Sequence, residues 1–85
     1  MKNNLNLLQY LPLLVSELNV TEAAKKAEIS QSAMSQALAK LRITLSDPIL
    51  VKSGSGLKST PKAEYLEQKL KKYFDDIDDL LHKPK

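Results

Sequence analysis

Residues 29–42 read ISQSAMSQALAKLR, and the organisation of the whole chain follows from this stretch. Ser30 has the character of an N-cap, because its hydroxyl accepts from the orphan N–H groups of a first helical turn. Apolar residues then recur at Ala33/Met34, Ala37, Leu38, Leu41 and Leu45, the three-to-four spacing of one helix face. The pattern predicts a helix over about 31–45 with that side buried. Its leading end carries only small and polar side chains: Ser30, Gln31, Ser32, Ser35 and Gln36. Taken alone, such a face reads as solvated; the flanking sequence points to a contact.

Upstream, Thr21 precedes EAAKKAE and is expected to cap a short helix over about 22–27. Ala23 and Ala24 are small enough to let two helices approach closely, and EIS (28–30) reads as a tight turn between them. Further back, Leu8, Leu11, Val15 and Leu18 predict a helix over about 6–18. Pro12 requires either a kink or a late start within that segment, since an interior proline costs about 3 kcal/mol.

Downstream, Asp47-Pro48 ends the central helix, the residue before proline being pushed out of helical geometry. ILVKSGSGLKST (49–60) then has the pattern of two short strands around Ser53-Gly54-Ser55-Gly56. Gly54 and Gly56 are expected to permit the tight tip, with Lys52 and Lys58 flanking it. Thr60-Pro61 places a cap and a first-turn proline ahead of a final helix reaching about Leu81. Along it, Ala63, Leu66, Leu70, Tyr73, Ile77 and Leu80 are separated by 3, 4, 3, 4 and 3 positions, a heptad seam.

Composition narrows the class. With 85 residues, 42% apolar, the chain suits one small domain, and four aromatic residues with no Trp leave a core of Leu, Ile, Val and Ala, as in packed helices. The net charge is +3; residues 1–60 hold seven Lys/Arg against four acids, whereas 61–85 hold six of each, so the excess belongs to the first part. No cysteine is present, which excludes disulfides and thiolate metal sites. Asp75, Asp76, Asp78 and Asp79 diverge around a helix and supply no loop to gather a cation, and His82 stands alone. No metal or cofactor is expected. One His, no Cys and no phosphate-cradling Gly loop argue against an enzyme. There is no apolar run of transmembrane length, and MKNNLNLLQYLPLLV is interrupted where a signal peptide would not be, so a cytoplasmic protein without membrane contact is expected.

Helix, tight turn and helix, with alanines at the crossing and a polar leading end, is the arrangement of a helix-turn-helix, whose second helix enters the DNA major groove. A groove admits that helix when its leading side chains are short; Gln pairs bidentately with adenine, and Ser donates or accepts at several bases. The hairpin then reads as a wing, with lysines placed for phosphates or the minor groove. The expected fold is mostly α: a winged helix-turn-helix over residues 1–60 and a long linker helix for dimerisation over 61–85.

The sequence resembles the N-terminal DNA-binding region of bacterial LysR-type transcriptional regulators. The matching residues are NLNLL at 4–8, VTEAAKKAEISQSAMSQALAKLR at 20–42, DPILVKSG at 47–54 and STPKAEYL at 59–66. The spacing of DP, L and V ahead of a Gly wing looks like the branch that includes nodulation regulators. The resemblance implies a winged helix-turn-helix, a linker helix pairing two subunits, and binding to interrupted palindromic operators. It implies backbone contacts at Thr21, Ser30 and Ser35 and base reading at Gln31. With the polar face and the wing, the expected DNA-binding set is Thr21, Ser30, Gln31, Ser32, Ser35, Gln36, Lys40, Lys52, Ser55 and Lys58. Ser32 stands where the family usually has Pro, Gln36 where it often has Arg or His, Lys52 in place of Arg, and Ser55 where the tip is frequently Arg. Fewer arginines imply low intrinsic half-site affinity.

The last helix has more apolar positions than one short domain covers, so Leu66, Leu70, Tyr73, Phe74, Ile77, Leu80 and Leu81 are expected at a dimer interface. Lysines 62, 69, 71 and 72 precede the aspartates, so an antiparallel partner centred near Tyr73 sets Lys opposite Asp, whereas a parallel partner sets like against like. Regulators of this resemblance carry an effector domain of two α/β lobes, and no small-molecule effector site is expected within these 85 residues. Two readings stay open: a fragment of a longer regulator, or a short protein acting without an inducer. The alternative function is an interaction module whose last helix pairs with a full-length regulator and modulates it.

Overall fold

Pro12 divides the N-terminal segment in the computed structural model, which describes residues 5–82. Helix α1 (Leu5–Leu8) ends ahead of Gln9, and α2 (Leu11–Glu17) starts afresh with Pro12 in its first turn. The missing N–H costs nothing there, because first-turn N–H groups lack intrahelical acceptors anyway. Of the two expected outcomes for Pro12, the late start is the one found. The break also shifts the buried face: Leu11 and Leu14 are fully buried and Val15 half-buried. Leu18, expected on the buried stripe, instead closes α2 in a left-handed conformation (φ 52°) and is 38% exposed.

Helix α3 (Val20–Ala27) is capped by Asn19 rather than Thr21. The extended Asn19 turns its side-chain oxygen onto the Glu22 N–H at 2.9 Å, which leaves Thr21 half-buried inside the first turn. At the other end Glu28 is left-handed (φ 61°) and Ile29 N–H donates to the Ala24 carbonyl at 3.0 Å, a Schellman closure formed without glycine. Helix α4 (Gln31–Leu45) begins at Ser30, whose Oγ accepts from Ala33 N–H at 3.0 Å as the sequence predicts. Met34, Ala37, Leu38 and Leu41 are buried, but Ala33, assigned to the buried side by its spacing, is exposed. Ala23 and Ala24 are fully buried in the core, where α3 packs on α4.

Strands β1 (Leu50–Ser53) and β2 (Gly56–Ser59) pair antiparallel, with Leu50 opposite Ser59 and Ser53 opposite Gly56. The hairpin loop is therefore Gly54 and Ser55 alone. Gly54 has φ 61°, the conformation that a two-residue hairpin asks of its first loop position. Gly56 lies in β2 without a left-handed φ, so the expected sharing of the turn by both glycines is corrected to Gly54 only.

Helix α5 (Pro61–His82) starts where Thr60-Pro61 predicted, the Thr60 Oγ1 accepting from Ala63 N–H at 3.0 Å. Ala63 is fully buried, and Leu66 and Leu70 pack half-buried on a core whose largest members are Leu11, Leu14, Met34, Leu41 and Ile49. From Lys71 to His82 every residue is exposed. The molecule measures 49 × 27 × 26 Å, the long dimension fitting a helix that continues past its body. Among the described residues no helix is long and apolar enough to cross a membrane.

Candidate nucleic-acid interface

Buried Met34, Ala37, Leu38 and Leu41 fix which way α4 faces. At roughly 100° per residue, the residues pointing directly away from that core are Ser32, Gln36, Ala39 and Ile43. Gln31 and Ser35 lie on one flank of this stripe and Lys40 on the other; all are exposed. The outer face is thus polar at its N-terminal half and apolar at its C-terminal half, where Ile43 is 79% exposed. Ala39 and Ile43 escaped the sequence reading, which sought polar types; counting seven positions on from Gln36 and Ser32 finds both.

Gln31, Ser32, Ser35 and Gln36 have no side-chain partner among the described residues. The polar groups around them are, by contrast, engaged: Asn19 caps α3, Ser30 caps α4, and Lys25 and Lys26 form ion pairs with Glu22 (3.5 Å) and Glu17 (3.3 Å). Ser30 keeps its O–H donor, since capping uses only an oxygen lone pair. Lys40, Lys52 and Lys58 form no ion pair among the described residues and are exposed. The wing register places Lys52 opposite Leu57 and Lys58 opposite Val51. Directly opposed residues share a face and neighbours along a strand alternate, so the two lysines project from opposite faces of the ribbon. Ser55 is exposed at the tip.

The single arginine of the chain is engaged at the wing root rather than standing free on this face. Arg42 donates through Nε to the Pro48 carbonyl at 2.7 Å and through Nη2 to the Leu50 carbonyl at 3.3 Å, gripping the root of the wing. Between those carbonyls lies Ile49, fully buried with φ 70°, at the centre of a γ-turn closed by Leu50 N–H on the Pro48 carbonyl at 2.7 Å. A β-branched residue with positive φ is a backbone outlier costing on the order of 1–3 kcal/mol. Several bonds hold it: Asp47 Oδ2 accepts from Ile49 N–H at 2.9 Å and from the Thr60 hydroxyl at 2.5 Å, and Thr60 N–H donates to the Ile49 carbonyl at 2.9 Å.

Two helices crossing on alanines, a second helix with an unpartnered polar leading face, and a hairpin wing fastened to that helix define a winged helix-turn-helix of the DNA-binding class. The family profile for the bacterial regulatory helix-turn-helix proteins of the lysR family matches residues 5–64, and the chain belongs to that family. Among solved structures, the probable transcriptional regulator PA0477 from Pseudomonas aeruginosa aligns over 95% of this chain with 32% identity and a TM-score of 0.84. The DNA-binding domain of BenM, crystallised with benA site 1 DNA, aligns over 89% with 26% identity and a TM-score of 0.79. OxyR of Corynebacterium glutamicum aligns over 89% with 28% identity and a TM-score of 0.78. The chain spans 27% of the PA0477 chain and 24% of the OxyR chain, but 85% of the BenM DNA-binding domain. Fold and family are those of a DNA-binding regulator domain rather than an enzyme.

Proposed function

We propose that this chain reads duplex DNA as a homodimer and regulates transcription from interrupted palindromic sites, working in the bacterial cytoplasm on the nucleoid. The observation that carries the reading is the outer face of α4: four polar side chains without a partner among the described residues, beside Asn19, Ser30, Lys25 and Lys26, which are engaged. In this reading Gln31, Ser32 and Gln36 meet base edges, Thr21, Ser30, Ser35 and Lys40 meet the backbone, and Ala39 and Ile43 offer apolar contact to thymine methyls. Lys52, Lys58 and Ser55 contact flanking phosphates or the minor groove, the two lysines from the two faces of the wing.

Dimerisation uses the far half of α5. Leu66 and Leu70 are largely occupied by the chain's own core, whereas Tyr73, Phe74, Ile77, Leu80 and Leu81 are 38–79% exposed. With Leu8 and Leu70, three of them (Tyr73, Phe74 and Ile77) line an apolar groove of about 190 Å³ that suits a partner's side chains. An antiparallel partner centred near Tyr73 sets Lys71 opposite Asp75 and Lys69 beside Asp76 of the other chain. The in-helix Lys72–Asp76 pair (3.2 Å) is exposed enough to be shared. Such pairs contribute about 0.2–1 kcal/mol each, so charge selects orientation and the apolar seam supplies affinity.

The exposed face of α5 equally suits the corresponding helix of a full-length regulator, which is the second reading: a module that pairs with such a regulator and modulates it. Selection of bound sequences from a random duplex library at two salt concentrations separates the two. Enrichment of an interrupted palindrome is expected; salt-sensitive binding with no enriched sequence contradicts the DNA-reading account and favours the module.

A further inference from the structure

The only arginine of a DNA-binding head is spent on two carbonyls at the wing root rather than on the outer face. Resting on the reading of α4 as the groove-reading helix, we infer that Arg42 and the Asp47–Thr60 pair are positioning residues for DNA binding. They lock the wing at a set angle to α4 and to the start of α5 without touching DNA themselves.

Three features carry this. The connector from α4 to β1 is Ser46 to Ile49, and it holds two left-handed non-glycine residues, Ser46 (φ 53°) and Ile49 (φ 70°). Such a connector keeps its shape only if neighbouring groups over-determine it. Those groups come from the helices on either side: Arg42 from α4 binds both sides of Ile49 and Thr60 at the head of α5 binds its carbonyl, while Asp47, within the connector, accepts from both Ile49 and Thr60. Lys62 of α5 adds a bond from Nζ to the Leu45 carbonyl at 2.7 Å, closing the end of α4. The Thr60 hydroxyl also caps α5, so one side chain joins the wing root to the helix proposed to pair the subunits. Groove reading, flank contact and subunit spacing therefore share one bonded junction, and loosening it separates flank contact from groove reading.

The test is a double-mutant cycle on the full chain, using a duplex recovered by the selection above and a random-sequence duplex of equal length. Lys52→Ala removes a wing contact directly; Arg42→Met removes the brace while keeping much of its bulk. If Arg42 acts through the wing, Arg42→Met lowers the slope of log affinity on log salt by about 0.9 for each phosphate the wing neutralises. It leaves the preference for the selected duplex over the random one unchanged, and adding Lys52→Ala then costs little more. Thr60→Val is expected to reproduce the effect and Thr60→Ser to restore wild-type behaviour. Additive losses in Arg42→Met/Lys52→Ala, or a loss of sequence preference in Arg42→Met, overturn the inference and make Arg42 a direct contact or a general prop of the head. Should Arg42→Met not fold, the Thr60→Val/Lys52→Ala cycle decides by the same criterion. Absence of any preference in the wild-type chain is a separate outcome, contradicting the functional reading itself.

Discussion

The two halves of α5 carry similar apolar spacing and end in different states. Through Ala63, Leu66 and Leu70 the helix is built into the head, closing a core with Leu11, Leu14, Met34, Leu41 and Ile49. From Lys71 onward the same rhythm continues through Tyr73, Ile77 and Leu80, which are 39–79% exposed, with Leu8 beside only the start of this stretch among the described residues. Periodicity therefore reports that a helix face is meant to be covered, and only the amount of neighbouring core tells whether the cover is internal. The head closes a core of its own; in the proposed reading a second chain covers the distal helix.

Substitutions test that contrast, beginning in the head. Leu41→Ala, at a fully buried position, should lower unfolding free energy by about 2–5 kcal/mol, enough to leave a domain of this size largely unfolded in a denaturant titration. Leu80→Ala, exposed in the distal half, should leave the monomer's unfolding curve unchanged. At the wing, Gly54→Ala should cost about 1–2 kcal/mol through its left-handed φ. Gly56→Ala, with open space around its Cβ position, is expected to be neutral within about 0.5 kcal/mol; equal costs would remove the two-residue turn from the account. Smaller still is the cap test on α3: Asn19→Ala should lose about 1 kcal/mol, read by thermal melting, whereas Thr21→Ala should not. The reverse ranking would restore Thr21 as the cap.

Much of this was legible in the residues. Ser30 and Thr60-Pro61 marked helix starts because each carries its own chemistry locally, and the apolar period of α4 placed its buried side except for Ala33. The misread α3 cap has a simple cause: Asn19 and Thr21 are both competent caps, and β-branched Val20 looks extended when it is the first helical residue. Left-handed positions at Leu18, Glu28, Ser46 and Ile49 were invisible, because no glycine announces them. At Ile49 the conformation is held by Asp47, two positions back, together with Arg42 and Thr60, seven and eleven positions away, so the local pattern alone does not encode it. For the candidate site, the polar leading face of α4 was readable from its residue types. The division of labour around it, with Arg42 turned to the wing root and Lys52 and Lys58 on opposite faces, needed the register and the bonds.

The division between a reading head and a pairing helix is tested most directly by titrating the chain, and its Ile77→Glu variant, onto duplexes carrying one or two copies of the selected half-site. The account predicts cooperative occupation of the two-site duplex by two wild-type chains. Ile77→Glu should lose that cooperative gain while keeping wild-type affinity for the single half-site. Equal wild-type affinity for the two duplexes, or a variant that loses the single half-site as well, would contradict it.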